Sequence, residues 1–153
     1  MITAWRIVKA KHSTTAFDGE GARLFGGRWN SPGSPVVYTA ASTALAALEM
    51  LVHLGKATVL PAYVLIGCTF TDSLIARIED SRLPSNWRSY PAPPELQSLG
   101  DEWLRLGTSA VLEVPSAVIP SESNYLLNPQ HADFTAISIS PPESFDFDLR
   151  LLR

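Results

Sequence analysis

Pro35-Val36-Val37-Tyr38-Thr39-Ala40-Ala41-Ser42 runs straight into Thr43-Ala44-Leu45-Ala46-Ala47-Leu48-Glu49-Met50-Leu51-Val52-His53-Leu54, and this passage decides the fold class. The β-branched and aromatic residues of Pro35–Thr39 suit a pleated strand. Ser42 can accept a hydrogen bond from a first-turn N–H. It therefore caps a helix over Thr43–Leu54, and Gly55 stands where a terminator belongs. The helix is apolar nearly all round, which predicts that it is buried. A short strand feeding an apolar helix is the signature of a mixed α and β chain.

Working outward, Trp5–Val8 reads as an opening strand and Val59–Phe70 as a long buried one. Ala110–Val114 is a strand ending at Pro115, and Phe134–Ile139 is another. The tail Phe145-Asp146-Phe147-Asp148-Leu149-Arg150-Leu151 alternates with period two, as a half-exposed strand does. A second helix spans Glu95–Leu106, with Leu96, Leu99, Trp103 and Leu106 on its apolar stripe. Ile75–Pro94 is polar and carries Pro84, Pro91, Pro93 and Pro94, which predicts a surface excursion. Gly19, Gly21, Gly26, Gly27 and Gly33 mark a glycine-rich region able to fold tightly. The expected fold class is α/β (α+β), a single domain over residues 1–153 with a substantially antiparallel sheet.

Composition narrows the function. The chain has 153 residues, 46% apolar and 18% charged, ordinary values for one globular domain. A net charge of −3 supplies no basic field, so direct nucleic-acid binding is not expected. Cys68 is the lone cysteine and no zinc-type spacing occurs, which fits a reducing, cytoplasmic setting. The N-terminus has no basic and apolar leader pattern. The longest apolar stretch, Val59–Phe70, is broken by Pro61 and Gly67 and falls short of the ~20 residues of a membrane span.

Glu49 is the most informative residue. Leu45, Leu48 and Val52 lie three or four positions away, so its carboxylate shares the apolar stripe. A carboxylate in such surroundings is costly and needs a proton, a cation or hydrogen bonds. It is a functional-site candidate; a structural ion pair or a helix-edge residue reaching solvent is the alternative. His53, four residues on, could join Glu49 as a metal ligand, but no third ligand follows at a recognisable spacing. No metal site is expected.

Gly26-Gly27-Arg28-Trp29-Asn30 lets the backbone turn sharply and set a guanidinium in a concavity. There it would suit carboxylate or phosphate oxygens; a hairpin turn with a surface arginine is the plainer alternative. Tyr38 offers a ring face and a hydroxyl, as a ligand contact or as a core residue. Ser116, in Val114-Pro115-Ser116-Ala117-Val118, sits at a strand end. No GxSxG elbow surrounds it, so it reads as a hydrogen-bonding serine rather than a nucleophile. Asn124 and Asn128 read as turn residues.

Taken in order, these segments resemble the RES-domain family, named for its arginine, glutamate and serine. The resemblance runs through Trp5-Arg6-Ile7, Phe17-Asp18-Gly19-Glu20-Gly21-Ala22-Arg23, Gly26-Gly27-Arg28-Trp29-Asn30 and Val37-Tyr38-Thr39-Ala40. It continues through Ala47-Leu48-Glu49-Met50-Leu51-Val52-His53, Val114-Pro115-Ser116-Ala117 and Asn124-Tyr125-Leu126-Leu127-Asn128-Pro129. Each motif is common alone; the ordered set is specific.

The resemblance implies an ADP-ribosyltransferase-toxin fold, a twisted, mostly antiparallel split sheet with flanking helices and a central NAD cleft. It implies the toxin of a bacterial toxin–antitoxin pair that consumes NAD as substrate by cleaving the nicotinamide–ribose bond, as a glycohydrolase or phosphorylase. The alternatives are an ADP-ribosyltransferase modifying a metabolic enzyme and a non-catalytic NAD- or antitoxin-binding module. The partner would be an Xre-type helix-turn-helix antitoxin covering the active site, with the toxin a homodimer in the complex. Glu49, Arg28 and Tyr38 would be the catalytic set. Arg6, Arg28, Tyr38, Ser116 and Asn124 would bind NAD: Arg28 at the diphosphate or adjoining ribose, Tyr38 stacked on nicotinamide, Arg6 as a second anion clamp. Ser116 would orient the nicotinamide side or support Glu49. Arginine-directed ADP-ribosyltransferases carry a second carboxylate two residues before the catalytic glutamate. Ala47 stands there, which favours water or phosphate over a protein as acceptor.

Overall fold

The computed structural model describes residues 1–54 and 60–152. In chain order the strands are β1 (Ile2–Lys9), β2 (Val37–Ala40), β3 (Tyr63–Phe70), β4 (Ile75–Arg77), β5 (Val111–Pro115), β6 (Ser123–Leu127), β7 (Ser138–Ile139) and β8 (Glu143–Phe145). Three helices accompany them: α1 (Glu20–Phe25), α2 (Thr43–Leu54) and α3 (Pro94–Leu106). The strands form one sheet in the order β4-β5-β6-β2-β1-β3-β7, with β8 also paired to β3. Only β4 and β5 run parallel; every other described pair is antiparallel.

The sheet is split in its middle. β1 pairs with β3 at eight successive positions, from Ile2 opposite Phe70 to Lys9 opposite Tyr63. Against β2, by contrast, it pairs only at Trp5 opposite Ala40. Two half-sheets thus meet at a single register point, and a side chain spans the opening. Arg6 donates from Nε to the Ala16 carbonyl (2.8 Å) and from Nη1 to the Tyr38 carbonyl (3.0 Å).

Period-two alternation sends Val111, Tyr125 and Leu127 to one face, where they pack with Ala4, Val37, Cys68 and Phe70. Leu112, Val114 and Leu126 face the other way, against Leu96 and Trp103 of α3 and against Trp29 and Val36. On that same face α2 packs Leu45 and Ala46 against Ile7 and Ala40. Both long helices therefore lie over one face of the sheet. The α+β, mostly antiparallel sheet expected from the resemblance is the one this chain forms.

The helix that decides the fold starts where expected: Ser42 Oγ accepts the Leu45 N–H at 3.0 Å. Its proposed terminator Gly55, and Val59 at the head of the expected long strand, lie outside the described residues. Burial of α2 is less than its composition predicts. Only Leu45 and Ala46 are buried, while Leu48 is 36% and Val52 60% exposed. One face rests on the sheet, and no described element covers the other.

Two further expectations are corrected, the Phe134–Ile139 strand and the tail strand, and two are filled in, the excursion and the glycine-rich region. Phe134–Ile139 is not a strand: Ala132–Ala136 is a 3-10 turn and only Ser138–Ile139 pairs. His131 Nδ1 accepts the Asp133 N–H at 2.9 Å, and this cap turns the chain before extension can begin. The tail strand stops at Phe145. Phe147 turns inward onto Tyr63, and Asp148 accepts the Arg150 N–H to start a 3-10 turn at Leu149–Leu152. The excursion Ile75–Pro94 opens with β4, held parallel to β5. The glycine-rich region contains α1, bracketed by Gly19 and Gly26, both at positive φ.

Candidate functional site

Glu49 projects from α2 and Ser116 from the end of β5, and the two meet: the Ser116 hydroxyl donates to Glu49 Oε1 at 2.7 Å. The same hydroxyl accepts the N–H groups of Val118 (3.1 Å) and Ile119 (3.0 Å), so it is fully committed and fully buried. A hydroxyl with its proton fixed on a carboxylate and its lone pairs filled orients its neighbour; it is not poised to attack. Among the described residues, nothing bonds Glu49 Oε2, and no buried side-chain oxygen or nitrogen lacks a partner. Glu49 itself is half-buried, the helix-edge case rather than the deeply buried one.

A second tether holds the same helix. Ser42 Oγ donates to Glu122 Oε1 at 3.2 Å, and Ser116 N–H donates to the Glu122 carbonyl at 2.9 Å. The turn from Ser116 to Glu122 therefore grips α2 at its first turn and at Glu49. That grip matters because packing holds α2 on one side only.

The arginine-bearing loop is built separately. Gly27 N–H donates to the Asn30 carbonyl at 2.9 Å, closing a tight turn. A Cβ on Gly27 would lie 2.6 Å from the Tyr38 hydroxyl, so this position admits no side chain. Tyr38 donates that hydroxyl to Asn30 Oδ1 (2.6 Å) and accepts the Trp29 N–H (3.1 Å). Burial raises the Tyr38 pKa above the ordinary phenol value, and the Trp29 N–H works the other way. With its hydroxyl engaged by the loop, Tyr38 has only its ring face to offer a ligand. Arg28 Nη1 donates to the carbonyls of Trp87 (3.0 Å) and Ser89 (2.9 Å), leaving Nε and Nη2 without protein partners among the described residues.

Arg6 lies at the split itself. Burial pulls its pKa below the ordinary arginine value, and the Asp18 charge opposes that shift. Asn124 stands on β6 opposite Ala40 and Val114, so it is a strand residue rather than a turn residue. Its amide reaches the Thr39 carbonyl at 3.3 Å.

The structure thus forms two groups, Glu49 with Ser116 and Arg28 with Tyr38; Arg6 touches the second through the Tyr38 carbonyl. No hydrogen bond among the described residues joins the groups directly. His53 is exposed, and the described residues contain no cluster of three or more His, Cys, Asp or Glu suited to a metal. A concavity of about 430 Å³ beside the site is lined by Leu83, Trp87, Pro115 and Pro120 rather than by the candidate residues. The sequence reading missed Asn30, Gln97 and Asp101, which hold the arginine loop. Asn30 sits in a quoted motif; Gln97 and Asp101 carry no local signal.

The class is that of a curled, split α+β sheet with two helices over one face. The same fold occurs in a solved structure of the Mycobacterium tuberculosis MbcT–MbcA toxin–antitoxin complex. There the TM-score is 0.77 at 23% identity, over 94% of this chain and 84% of that one. This chain belongs to the RES domain family, which it matches over residues 3–148. It is 42% identical to a protein named Toxin Res from Yersinia enterocolitica, over 96% of this chain and 97% of that relative. A Sphingobium protein named Prs ADP-ribosylating toxin is 36% identical, over 97% of this chain and 96% of its own length. No helix among the described residues is long and apolar enough to cross a membrane.

Proposed function

We propose that this protein is the toxin of a bacterial toxin–antitoxin pair and that it depletes NAD by cleaving the nicotinamide–ribose bond. The observation that carries the reading is the Ser116–Glu49 hydrogen bond: one carboxylate oxygen is fixed and the other is left for substrate. Family membership and the toxin relatives support it.

The chemistry is glycosyl transfer. Nicotinamide departs as a neutral group, taking the electrons of its bond to the ribose C1′, and positive charge develops on the ribosyl ring. Water or phosphate then adds to C1′ and loses a proton. Carboxylates meet this charge in glycoside cleavage, and a pre-aimed group of this kind contributes about 3–4 kcal/mol. Glu49 fills that role through Oε2, accepting from the ribose hydroxyls and facing the developing cation. Arg28 offers Nε and Nη2 to the diphosphate, as a pre-oriented fork does. Tyr38 presents its ring to nicotinamide. An Xre-type antitoxin covers this face in the resting complex; the exposed Leu48 and Val52 of α2 suit such a cover.

A second reading, transfer of ADP-ribose to a protein, is favoured by one observation, the name of the 36% identical Sphingobium relative. Ala47, where a second carboxylate would stand, weighs toward water or phosphate.

Nicotinamide release by purified, antitoxin-free protein tests the proposal, beside Glu49→Ala and with or without inorganic phosphate. Release that needs Glu49 and rises with phosphate identifies a phosphorylase; release indifferent to phosphate identifies a glycohydrolase. Folded protein that releases none while labelled NAD marks a cellular protein would establish the second reading instead.

A further inference from the structure

α3 turns one face toward the loop that carries Arg28, and the Gln97 and Asp101 side chains on that face bond the loop. Gln97 Nε2 donates to the carbonyls of Gly27 (3.1 Å) and Asn30 (3.3 Å). Asp101 Oδ1 accepts the Ser31 N–H at 3.0 Å, and its Oδ2 accepts the Ser31 hydroxyl. Between them Gly100 lets the Trp29 carbonyl approach so closely that a Cβ would lie 1.6 Å from its oxygen. Residues 97, 100 and 101 are spaced by three and four, so they share one helical face.

These contacts bracket Arg28 on both sides in sequence, at Gly27 before it and at Trp29, Asn30 and Ser31 after it. The Arg28 side chain leaves the loop in the other direction, toward the Trp87 and Ser89 carbonyls. A long side chain whose backbone and guanidinium are both fixed has little rotamer entropy left to lose when it meets an anion.

We propose that Gln97 and Asp101 are positioning residues that set the affinity for the anionic part of the substrate by fixing the Arg28 loop. The inference rests on the reading above, in which Arg28 meets the diphosphate. Such a contact is the same before and at bond cleavage, so loosening it raises KM and leaves kcat near its original value.

A double-mutant cycle between Gln97 and Arg28, read as steady-state NAD cleavage, is the test. Gln97→Ala should raise KM about tenfold, with kcat within about twofold. The same change made in Arg28→Ala should add almost nothing. Asp101→Ala should act like Gln97→Ala, and Asp101→Asn, which keeps an acceptor for the Ser31 N–H, should recover most of the loss. An equal KM penalty with and without Arg28, or a fall in kcat at constant KM, would overturn the proposal. If the wild-type protein releases no nicotinamide, the NAD-cleavage reading alone fails, and the cycle is read from the calorimetric Kd for NAD. There the same coupling supports the proposal, and its absence, or absence of any NAD binding, overturns it.

Discussion

Ser116 and Glu49 are joined by a 2.7 Å hydrogen bond across 67 residues of chain, and the serine that makes it is itself locked by two backbone N–H groups. The rigidity of the carboxylate therefore derives from a turn on the sheet as much as from its own helix.

Replacing the serine exposes that dependence. Ser116→Ala removes the donor to Oε1 and strands the Val118 and Ile119 N–H groups in a partly buried turn. A loss of about 1–3 kcal/mol in stability is expected, read from the urea midpoint. Nicotinamide release should fall by about tenfold or more in kcat, with KM much less affected. Glu49→Gln separates the two effects: its amide oxygen still accepts from Ser116, so stability holds while release drops about 100-fold or more.

The Arg6 side chain bridges the split in the sheet. Arg6→Leu deletes both bonds, to Ala16 and Tyr38, and leaves two carbonyls at the opening. About 2 kcal/mol of stability should be lost, with faster amide exchange concentrated in β2. Arg6→Lys, lacking the planar fork, should recover only part of this.

Packing between α3 and the arginine loop admits no added methyl. Gly100→Ala places a Cβ against the Trp29 carbonyl, so one element must shift. The expected cost is about 3 kcal/mol, against the stabilisation that Gly→Ala brings to an open helix position; thermal unfolding measures it.

Alkaline pH should destabilise the protein through two buried acids. Burial pushes the Cys68 thiol from 9.0 up to about 12 and moves Tyr38 in the same direction. Between those thiol values the unfolded chain releases its proton while the folded chain retains it. Stability is thus full below about pH 9 and declines as pH rises toward 12. Cys68→Ala should flatten the first part of that decline and Tyr38→Phe the later part, as followed by urea midpoints at stepped pH.

Several elements were legible because their signals are local. Ser42 caps α2 as its side chain dictates, and Leu96 and Trp103 of α3 face the core as their spacing requires. β6 was missed because Asn124 and Asn128 look like turn residues. It is a strand because β2 and β5 pair with it on both sides. The tail showed strand alternation, yet Asp148 captures the Arg150 N–H and stops it.

By itself the sequence determined the start of α2, the inward-facing Leu96 and Trp103 of α3, the family and the residues worth testing, since each depends on a few neighbouring positions. Only the tertiary structure decided which of those residues meet. Glu49 finds Ser116 across 67 positions, and Arg28 finds the Trp87 and Ser89 carbonyls across 59 and 61. Such partners are chosen by sheet order and helix docking, which bring distant backbone groups within hydrogen-bond reach; no local pattern encodes that distance.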